Sequence, residues 1–224
     1  YPAASRDEDV IIYEDDKRLK ADGTVRFLRN QESKKEGIPN LSLADFVAPE
    51  NSGIKDYIGG FAVTAGIGIE KWVGEYEKQG DDYSSFMLKI LADRLAEAFA
   101  ELLHKKVRIE YWGYDKREDL DITALLKENY QGIRPAPGYP ACPEHSEKDK
   151  LFDLLNVEKN TGISLTENFA MYPAASVSGY YFMHPFSQYF NLSKIDRDQV
   201  TDYANRKKIN LIEAEKLLKQ NLHY

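Results

Sequence analysis

Between Arg134 and Pro143 the chain reads Arg-Pro-Ala-Pro-Gly-Tyr-Pro-Ala-Cys-Pro, four of its nine prolines in ten residues. Proline fixes φ and lacks a backbone donor, so this stretch is neither helix interior nor central strand. It is an extended, stiff loop. A stiff loop loses little entropy when it closes on a ligand. Gly138 permits a close backbone approach. Arg134 offers a fixed fork of donors suited to a carboxylate, and Tyr139 offers an aromatic face and a hydroxyl. These parts suit an amphipathic small molecule with a carboxylate end. They would equally make a rigid connector whose Arg pairs with a neighbouring acid, and the residues alone leave both open.

Other chemistry-bearing residues read more plainly. Asp93 and Glu97 lie one helical turn apart, with Glu101 and His104 further along, and acidic stripes of this kind usually face solvent. Cys142 and His145 are spaced like half a metal site, but the remaining histidines are scattered and no second pair completes four ligands. Cys142, Glu144 and His145 do not make a hydrolase constellation, because no oxyanion-hole element accompanies them. His145 reads as a hydrogen bonder that packs the loop. Gly66-Ile67-Gly68-Ile69-Glu70-Lys71 lacks the third glycine and the βαβ unit of a dinucleotide loop. Gly59, Gly60 and Gly66 read as sites of close packing.

Several elements must carry these residues. Val10–Tyr13 and Val25–Leu28 read as a hairpin whose connection closes at the turn dipeptide Asp22-Gly23. Ile58–Ile69 is almost uncharged and predicts a strand buried on both faces, with a short helix from Glu70 to Lys78 after it. From Asp82 to His104, Phe86, Ile90, Leu91, Leu95, Ala98, Phe99, Leu102 and Leu103 recur at three- and four-residue spacing, which predicts a long helix with that face inward. A helix over Ile122–Tyr130, capped by Asp121 and stopped by Gly132, precedes the Pro-rich loop. A further helix opens at Ser146, with that serine as its cap, and ends near Gly162. A strand over Val177–Met183 and two closing helices, after Asp196 and after Asn210, complete the chain. The fold class expected is α+β: a single domain with a twisted, antiparallel-dominated β-sheet and flanking helices.

Composition narrows the function. At 224 residues, 42% hydrophobic and 30% charged, the chain can bury a sizeable core. A net charge of −7 argues against a nucleic-acid partner. No apolar run approaches membrane-spanning length, and no charged-then-apolar leader is visible. One cysteine allows no internal disulfide, which suits a reducing, cytoplasmic setting. The first residue is Tyr1, which reads as a chain cut from something longer.

The loop also carries a family resemblance. Arg134–His145 (RPAPGYPACPEH), with ENYQGI before it and SEK after it, resembles the S-adenosylmethionine-binding activation domain of cobalamin-dependent methionine synthase. LADFVAP, DYIGGFAVTAG, ADRLAEAFAELLH, YWGY, ENFAMYPAASVSGYYF and RDQVTDYA extend the likeness across nearly all of the chain. The resemblance implies a reactivation module of a methyltransferase, not active alone. Inactive cob(II)alamin on a cobalamin-binding domain of the same parent receives an electron from flavodoxin or a flavoprotein reductase, and S-adenosylmethionine remethylates it. It further implies that residues 1–224 are an activation domain lacking its N-terminal helical part.

The resemblance also assigns residues. Arg134 matches the arginine expected to grip the ligand carboxylate. Ala136, Tyr139, Tyr189 and Phe190 match positions lining the same pocket, and Phe190 stands where a tyrosine is common. Glu128 matches an acidic position near the ligand ammonium. Asp93, Glu97 and Tyr139 match positions that meet the cobalamin domain. The alternative is a stand-alone module that binds S-adenosylmethionine or a corrinoid protein without methionine synthase activity.

Overall fold

A computed structural model describes all 224 residues. The architecture is α+β with antiparallel sheets, as the sequence predicts. Its residues group into two compact units. One comprises 1–59, 131–150 and 180–224; the other comprises 60–130 and 151–179. No helix is long and apolar enough to cross a membrane.

In the first unit, β1 (Pro2–Arg6), β2 (Asp9–Tyr13), β3 (Ala21–Arg26) and β4 (Asp56–Tyr57) form an antiparallel sheet of order β3-β2-β1-β4. The expected hairpin is β2-β3, but Asp22-Gly23 is not its turn. Gly23 lies inside β3 opposite Ile12, and the chain reverses at Asp15–Arg18, where the Arg18 amide donates to the Asp15 carbonyl at 3.1 Å. The strand β1 escaped the sequence reading because Pro-Ala-Ala-Ser-Arg lacks β-branched residues. Two helices close the chain: α6 (Arg197–Lys207) and α7 (Leu211–Leu217, capped by Asn210), numbered by their place in it. They bury Val200, Tyr203, Ala204, Ala214 and Leu218 against Leu28, Leu192 and Ile195. Edge-to-face contacts join Phe27 to Tyr180 and Phe182 at 6.1 and 5.9 Å.

In the second unit, β5 (Gly59–Thr64) pairs with β8 (Ser176–Tyr181), whose last two residues, Tyr180 and Tyr181, belong to the first unit, and β6 (Ser164–Leu165) pairs with β7 (Met171–Tyr172). The run expected over Ile58–Ile69 is therefore shorter. It is buried at Phe61 and Val63 and only half-buried between them, so it alternates rather than hiding both faces. At Gly66 an added methyl carbon would lie 2.6 Å from Pro173 Cβ, which is the close packing expected there.

α1 (Ile69–Lys78) and α2 (Asp82–Lys106) follow, then a π-helical turn at Val107–Tyr111. The helix α2 has the expected span, but its inward face is not the leucine face. Ser85, Ala92, Ala96, Ala100 and His104 are buried. Leu91, Leu95, Phe99 and Leu102 are exposed, Leu95 by 62%. The inward stripe of α2 is thus the one of small alanines at four-residue spacing, and the larger side chains flank it.

Three shorter helices depart from their expected ends. α3 covers only Ile122–Leu126, with Asp121 as its cap, because Glu128 turns to φ +54°. The helix expected over 146–162 is a 3₁₀ turn (His145–Glu147), α4 (Lys148–Leu155) and α5 (Val157–Thr161), broken at Asn156 with φ +48°. The capping side chain is Glu144, which accepts from the Ser146 amide at 2.7 Å, rather than Ser146 itself.

Candidate functional site

The Pro-rich loop belongs to the first unit and is built onto the end of β8. Ile133 and Phe182 exchange both backbone hydrogen bonds at 3.0 Å, and the Tyr180 amide donates to the Pro135 carbonyl at 2.9 Å. The loop thus starts as a short added strand. It then turns sharply: the Tyr139 amide donates to the Ala136 carbonyl at 3.1 Å, with Gly138 at φ +99°. A second turn follows, in which the Gly138 amide donates to the Cys142 carbonyl at 2.7 Å and the Cys142 amide to the Tyr139 carbonyl at 2.8 Å. Such crossed backbone bonds fix the segment without regular secondary structure.

The residues singled out by sequence sort into two groups. Arg134, Ala136, Tyr139, Tyr189 and Phe190 all lie in the first unit. The Arg134 amide donates to the Tyr189 hydroxyl at 3.0 Å, so these two are neighbours although 55 residues apart. Arg134, Ala136 and Phe190 are half-buried, while Tyr139 and Tyr189 expose much of their rings. Glu128, Asp93 and Glu97 belong to the second unit and are exposed. Asp93 and Glu97 stand one turn apart on α2 and face solvent.

Gly138 is required by its surroundings. Its φ lies where L side chains are strained, and an added methyl carbon would sit 2.7 Å from His145 Nδ1 and closer still to Cε1. Nδ1 of that same ring lies 2.8 Å from Lys148 Nζ. An ammonium has only donors, so Nδ1 accepts and the imidazole is neutral. Burial and the adjacent Lys148 hold the His145 pKa below its ordinary value. His145 is thus the loop-packing hydrogen bonder the sequence suggests. Cys142 is buried, and burial followed by the nearby Glu147 and Glu144 pushes its thiol well above its ordinary pKa. It packs rather than reacts.

Beneath the loop lies a polar cluster that sequence reasoning missed. Glu144 and Glu147 are each 2% exposed. The Tyr203 hydroxyl reaches Glu144 at 2.8 Å and Glu147 at 3.1 Å, and Lys207 Nζ reaches them at 3.1 and 2.6 Å. Burial opposes ionisation of Glu144, but Lys207, Ser146 and Tyr203 together hold its pKa below the ordinary value. Burial likewise opposes charging Lys207, and the two glutamates outweigh it and raise its pKa. The signal was present in the sequence only as Pro-Glu-His-Ser-Glu after the loop; its partners stand some sixty residues away on α6, separated by 59 and 60 positions.

Comparison with known proteins places this loop in a family. A family model described as "Vitamin B12 dependent methionine synthase, activation domain" matches residues 1–208. The chain belongs to that activation-domain family. Its structure is also similar to a solved one, "Crystal Structure of the MetH Reactivation Domain bound to AdoHcy", with a TM-score of 0.97 and 54% sequence identity. The match covers 100% of this chain and 69% of that one. The activation-domain scaffold therefore accounts for the antiparallel sheet and for the loop mounted at the end of β8.

Proposed function

We propose that the Arg134–Cys142 loop binds S-adenosylmethionine, and that the chain serves as a reductive-reactivation module presenting its methyl group to cob(I)alamin on a partner domain. The observation that carries this reading is the loop itself: Arg134 and Tyr189 joined by a hydrogen bond on a scaffold 54% identical to a domain solved with AdoHcy. The donor set fits the ligand. A guanidinium forks onto a carboxylate. Exposed tyrosine rings offer π faces to a purine and to a sulfonium. Ala136 and Gly138 leave room for close approach.

When bound, S-adenosylmethionine supplies the methyl group and cobalamin supplies a strongly nucleophilic reduced cobalt. The residues of this chain orient. Arg134 holds the amino-acid end, Ala136, Tyr189 and Phe190 line the pocket, and Tyr139 lies where the loop meets the cobalamin domain. Glu128 is assigned to the ligand ammonium. Asp93 and Glu97 are assigned to the cobalamin domain, where paired carboxylates accept hydrogen bonds from a displaced cobalt-ligand histidine. Flavodoxin or a flavoprotein reductase supplies the electron.

Titration calorimetry with S-adenosylhomocysteine tests the ligand site. A charged hydrogen-bond partner contributes about 1.5–3 kcal/mol, so Arg134→Ala weakens binding roughly 10- to 150-fold. Equal affinity of wild type and variant, or no heat of binding from the folded wild-type chain, refutes the assignment.

A further inference from the structure

The ligand loop is anchored from below by four groups in the first unit. Tyr203 and Lys207 are four residues apart on α6, so they share one face of the helix. Both reach the same two buried carboxylates, Glu144 and Glu147. Glu144 also accepts from the Ser146 amide and hydroxyl, both at 2.7 Å. Glu147 accepts from the Arg26 amide at 3.1 Å, and its carbonyl lies 3.3 Å from the Tyr180 hydroxyl.

Two like charges are seldom buried side by side, and an apolar plug would hold a surface connector at less desolvation cost. What such a cluster adds is a single geometry, since each donor has one fully satisfied arrangement. The turn it fixes, Glu144–Glu147, contains His145. That ring, held by Lys148, lies against Gly138 and leaves no space for a Cβ. Gly138 is the corner between Ala136 and Tyr139. A continuous path of contacts therefore leads from α6 to the residues assigned to the ligand.

We propose that Tyr203 and Lys207 are positioning residues for the ligand loop: through Glu144 and Glu147 they set the 144–147 turn, through it His145, and through His145 the backbone at Gly138. The inference rests on the reading of the loop as an S-adenosylmethionine site.

The test uses the 224-residue chain and the variants Tyr203→Phe, Lys207→Met and Lys207→Arg. Val200→Ala is the control, a buried α6 residue outside the cluster. Two quantities are measured well below the unfolding temperature: amide exchange at Gly138 and Cys142, and affinity for S-adenosylhomocysteine.

Lys207→Met and Tyr203→Phe are expected to speed exchange at both amides and to weaken binding about tenfold or more, as misplaced binding groups do. Lys207→Arg restores both, because a guanidinium can still span two carboxylates. Val200→Ala changes neither. Unchanged loop exchange in Tyr203→Phe and Lys207→Met overturns the proposal. So does faster exchange with unchanged affinity while Arg134→Ala abolishes binding. Equal weakening by Val200→Ala also overturns it, since the effect is then general destabilisation. Failure of the wild-type chain to bind at all refutes the ligand reading itself, and the positioning role falls with it.

Discussion

Replacing Gly138 with alanine separates backbone strain from side-chain collision in one experiment. The residue sits at φ +99°, and holding an L residue in so sparse a region costs on the order of 1–3 kcal/mol. The new methyl also meets the His145 ring at 2.7 Å from Nδ1, so the ring must swing away and release Lys148. One such hydrogen bond contributes about 1 kcal/mol. The single variant should therefore lose roughly 3 kcal/mol, which for a chain of this size lowers the melting temperature by about 6–12 °C. His145→Ala removes the obstacle. In that background Gly138→Ala should cost only the backbone part, so the double mutant is about 1 kcal/mol more stable than the sum of the singles predicts. The assay is thermal unfolding followed by circular dichroism, because both tryptophans, Trp72 and Trp112, lie in the second unit. Additivity within about 0.3 kcal/mol would refute the collision, and a single variant as stable as wild type would refute the strain as well.

The inward face of α2 can be read by a contrasting pair: Leu95 is 62% exposed and Ala96 1%, so Leu95→Glu should change stability by less than about 0.5 kcal/mol and lower hydrophobic-dye binding, while Ala96→Leu should cost about 1–3 kcal/mol; the reverse order in urea titrations would show that the leucine face is the core. Arg108 and Glu118 form a fully buried ion pair, with Arg108 stacked 3.8 Å from the Tyr130 ring centroid, so Arg108→Met should cost about 3–5 kcal/mol and Arg108→Met/Glu118→Leu should recover much of it; a milder single variant in calorimetric unfolding would contradict the pairing. Acid titration of stability should show two limbs. The unfolded chain takes up a proton on His145 first, so stability falls as pH drops below the ordinary 6.5. Glu144 resists protonation when folded, so the stability it contributes is present above its ordinary 4.5 and is lost as pH falls through the lower folded value. His145→Asn should erase the first limb alone, and persistence of that limb in pH-dependent melting would rule out His145 as its source.

The parts of this fold that could be read from sequence are those set by local rules, and the parts that could not are set by tertiary partners. Asp121 and Asn210 cap helices where the spacing places them, because a side-chain acceptor and a free amide lie within one turn. The proline content of 134–143 excluded helix and central strand for equally local reasons. The α2 periodicity was legible, but not which stripe faces inward. Leucines and alanines recur on adjacent stripes of one helix, and only the tertiary packing around it decides between them. The candidate site divides in the same way. Arg134 and Tyr139 announce themselves by chemistry in a stiff loop. Tyr189 joins them only because the fold brings its hydroxyl to the Arg134 amide. Glu144 and Glu147, read alone, are two more acids in a chain that carries 37. Only Tyr203 and Lys207, one turn apart on a distant helix, turn them into a buried support. A loop whose corner at Gly138 (φ +99°) is a glycine gains no stiffness from a side chain of its own there, so the groups packed around it fix its shape. The residues proposed to hold the loop in shape are thus the least visible in sequence, and the variants of Tyr203 and Lys207 probe a layer that motif reading does not reach.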